Sequence, residues 1–281
     1  MANGAPSEVA SKVLERERSS LPTPPQFSDK LEERAYLKYR LAQALRIFAK
    51  RGYDEGLAGH ITVRDPVRPN CFWVNPLALH FKLIQPSDLL LVDAKGNILD
   101  ESGPHRVLNV AAFMIHSRIH EARPDVICAA HSHSLYGKVF AALGIPLDMI
   151  SQDACGFYND LALYTQYRGV VQDEEEGTAI AQALGTYKAA ILQNHGLLVA
   201  TDSIEASIYF YIKLEKVCQT QLAADAAAAA RNIPTVKISD AQAAVAGKIV
   251  GSLRRGWVGG TMEFELLEKE EGVSFKYKPG Q

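Results

Sequence analysis

The chain has 281 residues, and its 30 lysine and arginine residues against 32 aspartate and glutamate residues give a formal net charge of −2. This balance leaves no broad basic field, so it disfavours nucleic acid and anionic membrane surfaces as partners. Hydrophobic residues make up 47% of the sequence, yet no apolar run approaches the roughly 18 residues of a membrane span. We therefore expect a soluble protein whose length allows one large α/β domain.

The cysteine pattern and the N-terminus indicate the compartment. Cys71, Cys128, Cys155 and Cys218 lie far apart, without a C-x-x-C pair. This spacing argues against a disulfide scaffold and against a structural zinc site. The N-terminal segment carries acidic side chains and lacks the continuous apolar stretch of a signal peptide. Both observations favour a cytoplasmic protein.

The first part of the chain predicts an arm, a helix and a small meander. Residues 1–27 contain prolines near their end, which block a helix, and predict a partly extended arm. Residues 29–50 repeat apolar side chains at helical spacing, with Ser28 as the expected N-cap and Gly52 as the stop. Short apolar segments then predict an antiparallel meander of strands, at 60–64, 71–74 and 89–92.

The rest of the chain alternates the two patterns, which indicates an α/β fold. Helices are predicted over 107–122, 135–143, 174–184 and 203–231, and strands over 126–131, 189–193 and 197–200. The alanine-rich end of the long helix, 223–230, is expected to pack between subunits. A further helix is predicted over 239–253, followed by a lysine- and glutamate-rich solvated tail. We divide the chain into the arm, a domain over 28–235 and an extension over 236–281.

Three histidines follow two of the predicted strands. His131 and His133 stand two positions apart at the end of one apolar strand, and residues two apart on a strand face the same side. A second apolar run ends at His195, beside Gly196, which allows a close backbone approach. Three neutral imidazoles leave a coordination position open for substrate or water, as an open metal site requires. Ordinary core or surface histidines are the alternative, because the spacing alone does not exclude them.

Several motifs together resemble the class II aldolase/adducin family. They are Glu121–Val126, Ala130–His133 and Leu192–Gly196, with Gly59–Arg64 and Leu91–Gly96 upstream in the expected order. The resemblance covers residues 30–230 and implies a three-layer α/β/α fold with a mostly antiparallel central sheet. In the family's sugar-phosphate aldolases and epimerases, three histidines bind a divalent ion. Carried over to this chain, the resemblance implies that His131, His133 and His195 bind Zn²⁺, with Fe²⁺, Mn²⁺ or Co²⁺ as alternatives.

This sequence departs from the family's sugar-phosphate enzymes in two respects. Their acid/base residue lies in the helix before the first histidine of the H-x-H pair, at the position that Ala112 occupies here. Their phosphate-binding pairs correspond to Gly59-His60, Leu77-Ala78 and Val110-Ala111 of this chain, which carry far fewer hydrogen-bond donors. The resemblance therefore implies a substrate without a phosphate group. The replacements look more like the adducin branch, but the true adducins do not keep the full histidine set.

Other side chains must supply the proton chemistry and the substrate contacts. His116 lies one helical turn after Ala112, and an imidazole with an ordinary pKa near ~6.5 suits acid/base work. Tyr158 is the second catalytic candidate, by resemblance to a loop tyrosine of related aldolases. The expected substrate contacts are His60, Asn109 and Gln152. For His116, Tyr158 and His60 the alternatives are structural: a core histidine, a packed aromatic and a loop cap.

Three functions fit these patterns. The first is a metal-dependent lyase, of aldolase or decarboxylase type, that acts on a small non-phosphorylated carbonyl compound. The second is an Fe(II)-dependent enzyme of oxidative C–C cleavage, since three histidines leave open positions for both substrate and dioxygen. The third is a non-catalytic interaction module of adducin type. The resemblance also implies a homo-oligomer, most simply a tetramer, in which Tyr158 or His116 reaches a neighbour's site.

Overall fold

A computed structural model describes residues 20–167, 169 and 174–277 of the chain. The strands of this part are β1 (His60–Arg64), β2 (Cys71–Val74), β3 (Leu90–Asp93), β4 (Cys128–Ser132), β5 (Leu161–Tyr164), β6 (Ala189–Leu192) and β7 (Gly196–Thr201). The helices are α1 (Lys30–Arg51), α2 (Val110–Ala122), α3 (Leu135–Leu143), α4 (Glu174–Leu184), α5 (Ile204–Arg231), α6 (Asp240–Val250) and α7 (Leu253–Glu271). Most of the predicted arm, residues 1–19, lies outside the described residues.

All seven strands belong to one sheet, in the order β3-β2-β1-β4-β7-β6-β5. The first three strands form the predicted antiparallel meander. Every neighbouring pair is antiparallel except β5 and β6, which run parallel. The expected α/β fold with a mostly antiparallel central sheet is therefore confirmed.

Helices cover both faces of the sheet, which makes three layers. On one face α1, α3 and α5 contribute to a core that contains Leu45, Phe140 and Leu214 together with Ile61 and Val199 of the sheet. On the other face, side chains of α2 and α4 pack against the alternate residues of β4 and β7. Such alternation follows from the strand geometry, because successive side chains point to opposite faces. Among the described helices, none is long and apolar enough to cross a membrane.

Capping residues set the helix boundaries. Helix α1 is capped by the side chain of Asp29, which accepts from the backbone N–H of Leu31, so the expected cap at Ser28 is wrong by one position. Helix α2 begins at Val110 and not at residue 107, because Asn109 caps it by accepting from the N–H of Ala112. At the other end of α1, Gly52 adopts a left-handed conformation with φ 73°, as the predicted stop requires.

The expectation of a solvated C-terminal tail is wrong for residues 253–271. This segment is helix α7, and it buries Trp257, Phe264 and Leu267 against the rest of the protein. Its acidic side chains form ion pairs with α1, among them Glu268 with Arg40 at 3.0 Å. The lysine and glutamate residues of this segment predicted exposure to solvent. The apolar side of the same helix nevertheless packs into the core beside α5. The division of the chain at residues 27 and 235 stays a prediction.

Candidate metal site and cavity

The sheet brings the three predicted histidines together. His131 belongs to β4, His133 follows its end, and His195 immediately precedes β7, which pairs with β4. One ring nitrogen from each histidine can be chosen such that all three lie within 4.8 Å of one another. The ring centroids are 4.6 to 5.2 Å apart. His131 and His133 are neighbours because they are two positions apart in the sequence. His195 joins them only because β7 pairs with β4.

A tight turn places His195 at the start of β7. Asn194 adopts the left-handed region with φ 57°, and the N–H of His195 donates to the carbonyl oxygen of Leu192 at 3.0 Å. Gly196 then lies against β4, where a Cβ would stand 2.7 Å from the carbonyl oxygen of Ser132. No side chain fits in that gap, so glycine is required at this position for a close approach rather than for its backbone angle.

Burial keeps these imidazoles neutral. Desolvation, followed by the neighbouring His195, holds the pKa of His131 well below its usual range. Burial also lowers the pKa of His195 to about 4, with His133 adding to the effect. For His133, burial and then Lys138 lower the pKa. Neutral imidazole is the form that binds a metal ion, since the ligand nitrogen must carry a free lone pair.

A backbone carbonyl fixes the tautomer of His131. Its Nδ1 lies 2.8 Å from the carbonyl oxygen of Leu197, and because a carbonyl only accepts, Nδ1 carries the proton. The lone pair of Nε2 is then free for a ligand. Metal-binding histidines commonly donate their other ring N–H to such an oxygen, which fixes the ring orientation. The donor set and its support thus fit a divalent ion bound by three histidines.

The turn after β4, which carries His133, is held from behind by α5. The carboxylate of Glu215 accepts from the Ser134 hydroxyl at 2.5 Å and from the backbone N–H groups of Tyr136 and Gly137, each at 2.8 Å. The hydroxyl of Tyr211 donates to the carbonyl oxygen of Ser132 at 2.9 Å. Glu215 therefore caps α3 in place of Ser134, whose own side chain makes no capping bond.

The histidines open onto a cavity of about 430 Å³, which is within the size range of small-molecule sites. Much of its wall is made of small or apolar side chains: Ala58, Ala111, Ala112, Ile115 and Ala142. The polar groups of the wall other than the three histidines are His60, Asn109, Lys138, Tyr167 and Asn194. A small polar molecule with an apolar body fits these walls.

The predicted site residues divide into two groups. His60 and Asn109 line the cavity, and His116 lies directly behind His60, with ring centroids 3.9 Å apart. Tyr158 and Gln152 are absent from the described walls of this cavity. Tyr158 lines a separate cleft beside β5, and Gln152 is exposed. Their participation from a neighbouring subunit stays a prediction.

Sequence reasoning did not identify Lys138, Tyr167 or Asn194 as parts of the wall. Lys138 forms an ion pair with Glu55, so its position depends on a loop far away in the sequence. Tyr167 follows β5 in a segment without a motif. Asn194 directly precedes His195, a candidate metal-binding residue, within the motif Leu192–Gly196. This adjacency could have identified Asn194 as part of the wall from the sequence.

The fold and the site together define the class: a three-layer α/β/α protein with three histidines clustered where two adjacent antiparallel strands end and begin. The profile of the Class II Aldolase and Adducin N-terminal domain matches residues 39–222. The chain therefore belongs to the class II aldolase and adducin family.

Two curated relatives cover most of this chain. The 4-hydroxy-3-prenylphenylpyruvate oxygenase/4-hydroxy-3-prenylbenzoate synthase of Streptomyces roseochromogenus subsp. oscitans is 42% identical over 235 residues, which are 83% of this chain and 82% of the relative. Decarboxylase NovR of Streptomyces niveus is 41% identical over 235 residues, with 83% and 84% covered. Among solved structures, L-fuculose 1-phosphate aldolase from Glaciozyma antarctica PI12 is 44% identical, with a TM-score of 0.81 over 91% of this chain and 97% of that one.

Proposed function

We propose that this protein is a metal-dependent lyase, of aldolase or decarboxylase type, for a small non-phosphorylated carbonyl compound. The observation that carries the proposal is the cluster of three neutral histidines, which opens onto a cavity whose wall combines small apolar side chains with a few polar ones. In this proposal His131, His133 and His195 hold the ion, with Zn²⁺ as the first choice and Fe²⁺, Mn²⁺ or Co²⁺ as alternatives. When bound, such an ion polarises a carbonyl oxygen and stabilises negative charge that develops on it.

The chain's own residues then bind and orient the substrate. His60 and Asn109 face the cavity and contact polar groups of the substrate. Lys138 supplies positive charge for a carboxylate, although its ion pair with Glu55 offsets part of that charge. His116, buried behind His60, is the candidate for holding a proton. Ala111 and Ala112 supply no side-chain donor, which supports a substrate without a phosphate group.

The names of the relatives favour different substrates. A decarboxylase and an arylpyruvate oxygenase support a non-phosphorylated, partly aromatic 2-oxo acid. The Glaciozyma protein is named for a sugar phosphate, at similar identity. We favour the first class, because the described walls offer Lys138 as their cationic side chain and Lys138 is paired.

Oxidative cleavage is the second candidate function. One relative that covers most of this chain is named an oxygenase, and three histidine ligands leave positions for both substrate and dioxygen. In this alternative Fe²⁺ is the physiological ion.

One experiment separates these possibilities. Metal-free protein is loaded with Zn²⁺, Mn²⁺, Co²⁺ or, without air, Fe²⁺, and is then given 4-hydroxyphenylpyruvate or L-fuculose 1-phosphate. Loss of CO₂ or C–C cleavage of the oxo acid without oxygen uptake supports the lyase. Oxygen uptake that depends on Fe²⁺ supports the second candidate. Efficient cleavage of the sugar phosphate contradicts the proposed substrate class, and protein that binds none of these ions contradicts metal dependence.

Two further features complete the proposal. All four cysteines are buried and unpaired, which supports a reducing compartment such as the cytoplasm. A homotetramer is proposed for the assembly, with Tyr158 and Gln152 reaching the cavity of a neighbouring subunit.

A further inference from the structure

A line of hydrogen-bonded side chains runs behind the cavity, between the sheet and α2. Thr62 lies two positions after His60 on β1, and His116 and His120 lie four positions apart on α2, so each pair shares one face of its element. The Oγ1 of Thr62 lies 2.8 Å from Nδ1 of His116 and 2.8 Å from Nε2 of His120. The Nδ1 of His120 lies 3.3 Å from the carbonyl oxygen of Val126.

The Val126 carbonyl sets the direction of every bond in this line. A carbonyl only accepts, so Nδ1 of His120 carries a proton. Burial lowers the pKa of His120 to about 3, which leaves the ring neutral and its Nε2 without a proton. That nitrogen must accept from the hydroxyl of Thr62. The hydroxyl has a single proton, so its oxygen accepts in turn from Nδ1 of His116.

The line ends at unpartnered nitrogens next to the cavity. Burial also holds the pKa of His116 well below its usual range, and a neutral ring protonated at Nδ1 has a bare Nε2. That Nε2 is buried and has no hydrogen-bond partner among the described residues, and the same holds for both ring nitrogens of His60. His60 is 2% exposed, contacts His116 and lines the cavity. Buried polar atoms without partners are costly, so they indicate a place where a ligand group binds.

We propose that Thr62 and His120 are positioning residues that lock His116 in its Nδ1-protonated tautomer and thereby make the floor of the cavity a hydrogen-bond acceptor. The ring of His60 lies against that of His116, with ring centroids 3.9 Å apart, and as a neutral ring it presents a bare nitrogen to the cavity. The substrate group that fits there donates a hydrogen bond, as a hydroxyl or an enol does. A carboxylate or a phosphate dianion only accepts, so it is disfavoured at this position.

The tautomers are measured on the full-length protein, purified with diamagnetic Zn²⁺ and labelled with ¹⁵N at histidine only. Solid-state ¹⁵N spectra distinguish protonated from bare ring nitrogens at any oligomer size. We expect two histidines in the Nδ1-protonated form whose signals change in Thr62→Val and return in Thr62→Ser. Thr62→Val is the isosteric variant that removes the hydroxyl, and the wild-type spectrum needs no variant at all. Nε2-protonated His116 or His120, or a Thr62→Val spectrum equal to the wild type, would overturn the proposal.

The substrate half of the inference rests on the proposed function and has its own readout. With a substrate that the protein turns over, Thr62→Val is expected to lower kcat/KM at least about tenfold, with the bound metal per chain unchanged and with recovery in Thr62→Ser. Undiminished kcat/KM in Thr62→Val contradicts the positioning role. If the wild type binds no ion and shows no turnover while the tautomers are as stated, the proposed function is wrong. The positioning role of Thr62 and His120 is then still supported by the tautomers.

Discussion

Single residues determine whether the histidine cluster can hold an ion. His131 combines a fixed tautomer with a buried ring, because Leu197 accepts its Nδ1–H and only 2% of the residue is exposed. His133 and His195 are half-buried and lie just beyond the strand ends, and each has a ring nitrogen within 4.8 Å of one on His131. A three-ligand site loses its geometry when any one ligand is removed.

We expect His131→Ala, His133→Ala and His195→Ala each to remove most of the bound metal. The measurement is metal content per chain by elemental analysis, after dialysis against a weak chelator. His105→Ala is the matched control, since His105 is exposed and lies outside the cluster. Stoichiometric metal in two of the three ligand variants would rule out this ligand set.

Helices and strands hold the candidate metal-binding histidines in place through contacts between segments that are distant in sequence. His131 lies near the end of β4 and His133 in the turn to α3, and Glu215 of α5 caps that turn through three hydrogen bonds. Hydrogen bonds to a charged acceptor are stronger than neutral ones, and this carboxylate is 4% exposed. The long helix therefore acts as a rigid support for the site.

Glu215→Gln is expected to lower the free energy of unfolding by about 1–3 kcal/mol, because an amide NH₂ replaces one accepting oxygen and faces donors. It is also expected to weaken metal binding, since His133 directly precedes Ser134. Urea unfolding and chelator competition measure the two effects. The exposed Glu265→Gln is the control; equal metal affinity in both variants would show that the cap does not support the site.

Helix α7 meets α5 through glycines. A Cβ at Gly256 would enter the ring of Phe210, and one at Gly260 would meet the backbone oxygen of Glu205. Glycine lowers helix propensity by about 1 kcal/mol relative to alanine, so these residues weaken α7 as an isolated helix. Close packing against α5 explains why the helix nevertheless forms part of the core.

The Gly260→Ala variant therefore distinguishes between close packing and helix propensity as the dominant effect at this position. The sign of the change in the free energy of unfolding decides between them. Propensity alone predicts a gain of up to about 1 kcal/mol, whereas the clash with Glu205 predicts a net loss of about 1–3 kcal/mol. Urea unfolding gives the sign. Met262→Ala, at an exposed position of the same helix, is expected to change stability little. A more stable Gly260→Ala protein would contradict the packing described for α7.

At the scale of the whole molecule, buried neutral histidines link stability to pH. His120 has a pKa of about 3 in the folded protein because it is buried, against ~6.5 when unfolded. Between these values the unfolded chain binds a proton that the folded chain does not. The stabilisation is thus complete above the unfolded pKa and is lost as the pH falls towards 3, by about 1.4 kcal/mol per pH unit for this residue.

We expect His120→Asn to reduce the loss of stability between pH 6.5 and 5.5 by about 1 kcal/mol. The free energy of unfolding in urea, measured at both pH values, gives the change. His105→Asn, which removes an exposed imidazole, is the matched control. An identical pH dependence in wild type and His120→Asn would show that His120 takes up a proton in the folded state.

Assembly decides whether Tyr158 belongs to the site. Within one chain Tyr158 lines a cleft beside β5, away from the histidine cavity. If it acts across a subunit boundary, a mixture of His131→Ala and Tyr158→Phe chains is expected to regain part of the activity that each variant lacks. Light scattering measures the oligomeric state in parallel. A fully active monomer would exclude a shared site and the proposed tetramer.

Local patterns predicted much of the fold. The bounds of β1, β2, α3 and α4 agree with those predicted from periodicity and turn residues. Helix α7 was missed, because its glycines and charges resemble a solvated segment until α5 is packed against it. The first residues of α1 and α2 were predicted less accurately, because several neighbouring residues can act as the N-cap. The side chains of Asp29 and Asn109 make the capping hydrogen bonds and so set where these helices begin.

Residue types and their spacing along the chain are enough to predict the α/β pattern, the shared face of His131 and His133, and the absence of side-chain donors at Ala111 and Ala112. Period-two alternation and residue type are local properties, so they need no knowledge of the remaining chain. Three contacts emerge only from the folded chain: His195 joins the pair, Glu215 caps the turn, and Thr62 links His116 to His120. These contacts depend on strand pairing and helix packing between segments distant along the chain, and burial then fixes their protonation.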